Sequence, residues 1–546
     1  MSNIVNFKDK VIYQIYPKSF NDSNGDGLGD LRGVAQKLDY LKYLGVDYIW
    51  LTPVYVSPQR DNGYDIQNYF EIDYRYGTME DFEYLVEEAK KRDIEIMLDM
   101  VLNHTSTSHA WFQKALTGDP TYTNYYFFKE NKGKVPTNWE SKFGGSAWKY
   151  VNDLDMYYLH LFDETQADLN WDNPRVRDEM VKIVNFWLAK GVKGFRFDVV
   201  NLISKPEEFE DDHIGDGRRF YTDGKHVHEY LQELNQRSFG TRKDIMTVGE
   251  MSSTTLDNCV KFASEKEDEL DMVFNFHHLK VDYKDGDKWK LKDFDFLELK
   301  NLFDEWQVGM QNHDAWNALF WCNHDQPRIV SRFGDDTNYR KESSKMLATT
   351  IHMMRGIPYI YQGEEIGMTN NHFNSLDKYR DIESLNYYNI LSEKGEQESD
   401  ILKVLEERSR DNSRSPMQWD TSSNAGFSEG TPWIDVNPNY SQINVQESIA
   451  DEDSVLNYYR KLIELRKQYK IIQEGKYESM YLDHTQIFAY KRTLGSQELV
   501  VFANFYGQDA SVDFDLSGYE LLLSNYNDND EVKVNLRPYE VIVLIK

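Results

Sequence analysis

The sequence predicts a (β/α)8 barrel with an inserted subdomain and a separate small β domain near its C-terminal end. Eight short apolar, β-rich runs alternate with amphipathic stretches of helical period, which is the pattern of parallel strands joined by helices. A segment rich in Asn, Gly, Trp and Tyr interrupts this alternation after the third run. At 546 residues the chain is also longer than one ordinary domain, which fits such a division.

The eight apolar runs are the predicted barrel strands. In chain order they are Val11–Pro17, Tyr48–Pro53, Ile94–Val101, Gly194–Val200, Ile245–Glu250, Met272–Phe276, Ala318–His324 and Tyr359–Glu365. The helical patterns between them include Leu31–Leu44, Met79–Arg92, Pro174–Lys190, His226–Arg237 and Leu297–Met310. Eight such units are the number that closes a barrel.

These patterns divide the chain into four segments. Residues 1–104 form the first part of the barrel, and residues 105–171 form the inserted subdomain after the third strand. Residues 172–478 complete the barrel. Residues 479–546 show short alternating strands separated by turn residues, which predict a C-terminal antiparallel β-sandwich.

Charge and composition exclude several classes of partner. A formal charge of −30 disfavours binding to nucleic acid or to anionic membranes, because both would be repelled over much of the surface. Cys259 and Cys322 are the only cysteines and give no disulfide framework. Met1–Lys10 has no apolar signal core, and no run reaches the roughly 18 apolar residues of a membrane span. We therefore expect a cytoplasmic protein with a small-molecule substrate, and we expect a monomer.

Carboxylates stand at the predicted C-terminal ends of three strands. Asp198 closes the fourth strand, Glu250 closes the fifth, and Asp325 follows the seventh. Because these strand ends form the active site of barrel enzymes, the three acids should face one mouth. Two carboxyl groups that flank a sugar bond are what glycoside hydrolysis requires, and crowding raises the pKa of one of them. Each acid alone could be a strand-end cap, but three in this register favour a catalytic site.

Five motifs resemble those of the α-amylase-type glycoside hydrolases, and within them the oligo-1,6-glucosidase group, whose fold is a TIM barrel. The motifs are Asp99-Met-Val-Leu-Asn-His104, Gly194-Phe-Arg-Phe-Asp198, Val248-Gly-Glu250, Asn323-His-Asp325 and Gln166-Ala-Asp-Leu-Asn170. The resemblance spans nearly the whole chain. It implies a retaining exo-acting α-glucosidase with Asp198 as nucleophile, Glu250 as acid/base and Asp325 as the third carboxylate.

The same resemblance implies which residues hold the cleaved glucose. They are Tyr64, Asp65, His104, His324 and Asp325, and Arg196 would keep Asp198 ionised.

A further segment, Arg408–Trp419, resembles the stretch that closes the pocket in exo-acting relatives with an arginine–acid pair. Here the pair would be Arg414 and Asp61, although Arg414 could instead form an ordinary surface ion pair. A closed pocket would limit cleavage to a terminal glucose.

An Asp- and Gly-rich loop near the N-terminus predicts a structural calcium site. The segment Asp22-Ser-Asn-Gly-Asp-Gly-Leu-Gly-Asp30 places oxygen atoms at alternate positions. The expected ligands are Asp22, Asn24, Asp26, the Leu28 carbonyl and Asp30. The twelfth position is Gly33 rather than a bidentate glutamate, so the loop is not an EF-hand. A turn without metal is the alternative. No organic cofactor is expected.

Four lysines stand close together after the sixth predicted strand. Lys280, Lys284, Lys288 and Lys290 fall within eleven residues of an acidic chain and could hold a phosphate group as point charges. On composition alone, a solvated loop is favoured. The run His277–Tyr283, with Gly286–Trp289 after it, resembles the members of this group that split trehalose 6-phosphate into glucose and glucose 6-phosphate. That resemblance implies a sugar-phosphate substrate, with phosphate contacts at Lys280 and Lys288.

Three other functions stay open on the sequence. Val199, directly after the nucleophile, is shared with relatives that cleave α-1,6 bonds, so hydrolysis of isomalto-oligosaccharides is the main alternative. Transfer of the glucosyl group to a sugar hydroxyl instead of water is a second. A binding module without activity is the third, but it would be expected to lack a catalytic acid and to carry a membrane anchor.

Overall fold

Eight parallel strands form the central sheet in the computed structural model, which describes residues 6–528 and 534–546. The strands are Ile12–Ile15, Tyr48–Leu51, Glu95–Val101, Gly194–Asp198, Met246–Glu250, Met272–Phe274, Ala318–Leu319 and Ile357–Tyr361. The first strand lies between the second and the eighth, and the order runs on to the sixth and the seventh at the two ends. A parallel bridge between Val273 and Asn317 joins these ends and closes the barrel. The predicted barrel is confirmed.

The seventh strand is shorter than predicted. It covers Ala318–Leu319, whereas the apolar pattern predicted a strand as far as His324. Leu319 lies opposite Pro358, which has no N–H group to continue the hydrogen-bond ladder. His324 and Asp325 therefore stand on the loop beyond the strand.

Helices surround the barrel and follow the predicted pattern with small shifts. They are Leu31–Gln36, Leu38–Leu44, Met79–Lys90, Pro174–Ala189, Val227–Arg237, Leu256–Ala263, Phe296–Asn312, Arg340–His352 and Val455–Gln468. The helix that begins at Met79 has a capping box, in which Thr78 and Asp81 each bond to the other's backbone N–H. The predicted helix Leu31–Leu44 is wrong as one element, because Lys37 has non-helical dihedral angles and divides it.

The inserted subdomain contains a three-stranded antiparallel sheet. Its strands are Phe128–Glu130, Met156–Leu159 and Trp148–Val151, in that order across the sheet. Below it, Gln166–Asp168 pairs with His104–Ser106, which spans the predicted boundary after residue 104. Leu202 and Tyr221, from the loop after the fourth barrel strand, pack into the same apolar core as Trp139. These contacts fix the insertion at the barrel mouth.

Two further helices lie beyond the eighth strand. Ile382–Glu393 and Glu398–Arg408 form a helical pair, and the short helix Asp411–Arg414 follows it. Glu383 and Arg410 bring this region to the barrel mouth, where both side chains line the same pocket as Asp325. The pocket therefore has a wall that the barrel pattern alone did not predict.

The C-terminal domain is antiparallel, as predicted. Its five-stranded sheet has the order Lys476–Met480, Ile487–Leu494, Gln497–Asn504, Val541–Ile545 and Glu520–Ser524, and Ala510–Ser511 pairs separately with Asn535–Leu536. The first of these strands begins at Lys476, before the predicted boundary at residue 479. Lys300 of a barrel helix donates hydrogen bonds to the carbonyls of Tyr481, His484 and Ile487, and these bonds tie the domain to the barrel. Among the described residues, no helix is both long enough and apolar enough to cross a bilayer.

Candidate active site

A pocket of about 250 Å³ opens at the C-terminal ends of the barrel strands. The predicted residues that line it are Asp61, Tyr64, His104, Asp198, Glu250, Lys280, Lys288 and Asp325. Arg196, His324 and Arg414 are each at most 1% exposed, and they lie behind the pocket wall. The structure therefore brings together acids from three strands and lysines from one loop.

One guanidinium group holds the two proposed catalytic acids. Arg196 Nη1 lies 2.6 Å from Asp198 Oδ1, and Nη2 lies 2.6 Å from Glu250 Oε2. Arg196 Nη1 also lies 2.8 Å from Asp99 Oδ1, which fixes the arginine from the opposite side. Sharing one guanidinium keeps the two acids close together. Retaining glycosidases need this short separation of roughly 5–5.5 Å, whereas inverting enzymes leave more room for water.

Burial raises the pKa values of both acids above those of ordinary carboxylates. Burial raises the pKa of Glu250 to about 8, with Arg196 opposing the shift and Asp198 and Asp325 adding to it. Burial also raises the pKa of Asp198 to about 6, although Arg196 opposes the shift. The expectation that Arg196 decides the charge of Asp198 is therefore incomplete. Near neutral pH, Glu250 carries a proton while Asp198 is largely ionised, which is the combination that a proton donor and a nucleophile require.

Asp325 is held ionised by a different set of groups. Its Oδ1 lies 2.8 Å from Arg414 Nη2 and 3.3 Å from Arg410 Nη1, and its Oδ2 lies 3.3 Å from His324 Nε2. Burial favours the neutral acid, but the guanidinium groups of Arg410 and Arg414 outweigh it and hold the pKa of Asp325 far below its usual range. Burial lowers the pKa of His324 to about 3, so this imidazole is neutral. Gln14 Nε2 donates to its Nδ1, which leaves the proton on Nε2, beside Asp325.

The comparisons with known proteins agree with this geometry. Residues 14–475 match the model of the alpha-amylase catalytic domain. The chain belongs to the α-amylase family. It is 54% identical to the trehalose-6-phosphate hydrolase of Bacillus subtilis, over 98% of this chain and 97% of that protein. It is 49% identical to an oligo-1,6-glucosidase of Bacillus cereus, over 98% of each chain. The crystal structure of the Bacillus licheniformis trehalose-6-phosphate hydrolase matches with a TM-score of 0.95 and 54% identity, over 99% of each chain.

In this α-amylase-family chain, the arginine that reaches Asp61 is Arg410, and the predicted Arg414–Asp61 pair is wrong. Arg410 Nη2 lies 3.1 Å from Asp61 Oδ1, whereas Arg414 pairs with Asp325 and donates to the His324 carbonyl. The short helix Asp411–Arg414 separates the two arginines by one turn, so both face the pocket side. Sequence spacing cannot tell which of the two lies nearer to Asp61.

Asp65 does not line the pocket, contrary to the prediction. It is fully buried, and its carboxylate accepts hydrogen bonds from Ser57 Oγ and from the backbone N–H groups of Arg60 and Asp61. Asp65 therefore shapes the loop that carries Asp61 and Tyr64 rather than contacting a sugar.

The four lysines after the sixth strand occupy different environments. Lys280 and Lys288 line the pocket, whereas Lys284 is exposed outside it and Lys290 lies 3.9 Å from Asp287. Lys288 Nζ is 2.6 Å from Glu383 Oε2, so its charge already has a partner. Within residues 6–528 and 534–546, the Lys280 ammonium makes no ion pair or hydrogen bond.

Sequence reasoning missed an aromatic wall and two charged residues. Phe162 of the insertion, Phe276 after the sixth strand, and both Glu383 and Arg410 line the pocket, where Phe162 and Phe276 join Phe143. Aromatic residues make up 14% of the chain, so no compositional signal distinguishes those at the site from those in the core. Arg410 and Arg414 both lie in the segment Arg408–Trp419, so that segment alone indicates either arginine equally.

The predicted calcium loop is a tight turn lined by oxygen atoms. Asp22 accepts hydrogen bonds from the N–H groups of Asn24, Gly25 and Gly27. Asp30 accepts from Gly33 N and caps the following helix. In the part of the chain that the structure describes, no three His, Cys, Asp or Glu side chains are gathered as a metal site. The remaining donors are amide and carbonyl oxygens, which suit Ca²⁺. Calcium binding at this loop stays a prediction.

Proposed function

We propose that this chain hydrolyses trehalose 6-phosphate to glucose and glucose 6-phosphate, with retention at the anomeric carbon. The observation that carries the proposal is the unpaired Lys280 ammonium at the mouth of a pocket whose base holds Asp198 and Glu250. In a chain of net charge −30, a lone cation at the pocket mouth favours an anionic substrate. The identity of 54% to a trehalose-6-phosphate hydrolase supports the same substrate.

The first chemical step forms a glucosyl-enzyme. Arg196 holds Asp198 Oδ1, which leaves Oδ2 to attack the anomeric carbon of the terminal glucose. As the new C–O bond forms, the bond to the bridging oxygen breaks, and Glu250 gives its proton to that oxygen. Glucose 6-phosphate leaves, Glu250 is now a carboxylate, and glucose is joined to Asp198 as an ester.

The second step returns the enzyme to its starting state. Glu250 takes a proton from a water molecule whose oxygen attacks the anomeric carbon from the side that the leaving group vacated. The ester bond to Asp198 breaks, and glucose is released with its original configuration. Asp325, held ionised, favours the positive charge that develops at the anomeric centre in both steps. The neutral His324 presents its Nε2–H beside Asp325, where it can donate to a glucose hydroxyl.

The closed end of the pocket favours exo-action. Arg410 reaches both Asp61 and Asp325, and Gln166 Nε2 donates to Asp61 Oδ2 at 3.1 Å. These contacts place a wall beyond the catalytic acids, so the pocket admits one terminal glucose. We therefore propose that internal bonds of a polymer are not cleaved.

A substrate comparison tests the proposal. Purified protein is given trehalose 6-phosphate, trehalose and isomaltose, and glucose release is followed for each. We expect kcat/KM for trehalose 6-phosphate to exceed that for trehalose by about 10- to 100-fold, the effect of one charge-assisted hydrogen bond. Equal rates on the first two sugars would overturn the proposal.

Lys280→Ala shows whether the lysine carries that preference. It should reduce the ratio of kcat/KM for trehalose 6-phosphate over a neutral α-glucoside. Lys284→Ala is the matched control, because Lys284 lies on the same loop, exposed and outside the pocket. A ratio that falls equally in both variants would show that Lys280 has no specific role and belongs to a solvated loop.

Isomaltose hydrolysis is the second candidate function. Val199 follows the nucleophile with a φ of 36° and lines the pocket beside Asp198 and Glu250. The 49% identity to an oligo-1,6-glucosidase supports this candidate. Product analysis at high sugar concentration separates hydrolysis from transfer to a sugar hydroxyl. New oligosaccharides would favour a transglycosylating enzyme.

Three further proposals concern the setting of this activity. We propose that the loop Asp22–Asp30 binds one structural Ca²⁺, that the protein acts as a monomer, and that it works in the cytoplasm. The free, buried thiols of Cys259 and Cys322 and a phosphorylated substrate support the cytoplasmic setting. Light scattering of the purified protein tests the monomer, and fractionation of the source cells tests the location.

A further inference from the structure

A lysine of the inserted subdomain stands behind the wall of the pocket. Lys142 Nζ lies 3.2 Å from Ser252 Oγ, and Ser252 lines the pocket together with Lys280. Lys142 is half-buried, and no carboxylate among the described residues lies within ion-pair distance of it. Lys142 is separated from the lysines after the sixth strand by more than a hundred positions, so no local sequence pattern connects them.

Cations around this point outnumber the acids that neutralise them. Arg218, after the fourth strand, is paired with Asp216, whereas Lys142 and Lys280 have no acidic partner. Burial, together with the neighbouring Arg218 and Lys280, lowers the pKa of Lys142 to about 7, while Asp216 opposes the shift. Burial and Arg218 also lower the pKa of Lys280. Lys142 is half-buried and Lys280 is exposed, and repulsion between two nearby cations is relieved when an anion binds to both.

We propose that Lys142 is a second phosphate-binding residue, and that the phosphate of the bound substrate bridges Lys142 of the inserted subdomain and Lys280 of the barrel. The inference rests on the proposed function and adds a specificity residue to it. A phosphate group has three acceptor oxygens, so it can accept from both ammonium groups at once. Ser252 accepts from Lys142 and keeps its own hydroxyl hydrogen, which can complete the site.

A purely structural role is the competing explanation. Lys142 would then serve only to attach the insertion to the loop after the fifth strand through Ser252. In that case its loss would reduce stability and would affect charged and neutral substrates alike. The two explanations therefore differ in the ratio of activities rather than in the absolute rate.

Substitution of Lys142 separates these explanations. Lys142→Met keeps the apolar stem and removes the charge, and it should lower the ratio of kcat/KM for trehalose 6-phosphate over a neutral α-glucoside by about 10- to 100-fold. Lys149→Met is the matched control, because Lys149 lies on the same insertion but pairs with the exposed Glu164. An unchanged ratio in Lys142→Met would overturn the inference.

The pH dependence of KM also distinguishes the two explanations. A Lys142 that only attached the insertion to the barrel would not change KM with pH. The charged groups that face Lys142 are Arg218, Lys280, Asp216 and Glu250. As pH rises through about 7, Lys142 loses its proton, so KM for trehalose 6-phosphate should rise between pH 7 and 9. Lys142→Arg stays charged over this range and should suppress the rise. The same rise in Lys142→Arg as in the unmodified protein would contradict the proposal.

Inorganic phosphate is a direct probe of the same site. It should inhibit hydrolysis of trehalose 6-phosphate competitively, with an inhibition constant at least about 10-fold weaker in Lys142→Met. If the unmodified protein does not prefer trehalose 6-phosphate over trehalose, the proposed function itself fails. If that preference is present and Lys142→Met keeps it, only the role of Lys142 fails.

Discussion

The base of the pocket and its rim use charge in opposite ways. At the base, Arg196 is in contact with Asp99, Asp198 and Glu250, so each charged group has a partner. At the rim, Lys280 has no acidic partner within the described residues, and neither has Lys142, which lies behind the wall against Ser252. The base is built at the ends of barrel strands, while the rim is built on loops from separate parts of the chain.

This difference assigns separate tasks to the two regions. A paired and buried base fixes which carboxylate is protonated before substrate arrives, so it determines the chemistry. An unpaired rim leaves its charges available to the substrate, and we propose that it selects which sugar is bound. Relatives that differ in substrate can therefore share the base and differ at the rim. The chain is 54% identical to a trehalose-6-phosphate hydrolase and 49% identical to an oligo-1,6-glucosidase, and these similar values fit this division.

The largest expected effect tests the base. Asp198→Asn keeps the shape of the side chain but cannot form the glucosyl ester, so kcat should fall by more than about 10⁴-fold on every substrate. Turnover is measured with trehalose 6-phosphate and with a neutral glucoside, and circular dichroism checks the fold. Activity above one hundredth of normal would show that Asp198 is not the nucleophile. A loss of activity on one substrate alone would contradict the division of tasks between base and rim.

The next effect tests the network that joins base and rim. Arg410→Gln leaves Asp381 and Asp61 without their nearest cation, and breaking such buried pairs costs about 3–5 kcal/mol of unfolding free energy. Denaturant unfolding measures this loss. Arg60→Gln is the control, because Arg60 is exposed and its guanidinium makes no ion pair among the described residues. Equal stability of both variants would show that Arg410 contributes little to the fold.

A smaller effect follows from the protonation states at the base. Asp198 must be ionised and Glu250 protonated, so kcat/KM for a neutral glucoside should fall below pH of about 6 and again above about 8. On each side of the optimum, kcat/KM should fall by close to tenfold per pH unit. Glu250→Gln should remove the alkaline limb, because an amide does not titrate. An alkaline limb that persists in this variant would assign it to another group.

The smallest effect concerns the loop Asp22–Asp30, which is outside the pocket. If it binds Ca²⁺, chelation should lower the melting temperature more than it lowers activity at low temperature, since the ion stabilises only the folded state. Thermal unfolding and initial rates, with and without chelator, measure the two quantities. Asp26→Asn should reproduce the loss of stability. If chelation lowered the initial rate as strongly as the melting temperature, the metal would act at the base of the pocket instead.

The sequence by itself determined the barrel, the three acids and the group of lysines. The hydrophobic repeat of a strand or a helix involves only neighbouring residues, so the alternation of eight apolar runs with helical patterns can be recognised from the sequence. Parallel strands bring their C-terminal ends to one face, and this rule by itself predicts that Asp198, Glu250 and Asp325 lie together. Lys280 and Lys288 also lie at the predicted mouth, although their roles remain proposals.

Only the tertiary structure decided which charges are paired. Sequence spacing suggested Arg414 for Asp61, but the fold gives that contact to Arg410. The fold also pairs Lys288 with Glu383 and brings Lys142 of the insertion against Ser252, a residue of the pocket wall. Pairing depends on distances of a few ångströms between loops that are far apart in sequence, and Coulomb energies and desolvation change steeply over such distances. No local pattern in the chain contains that information.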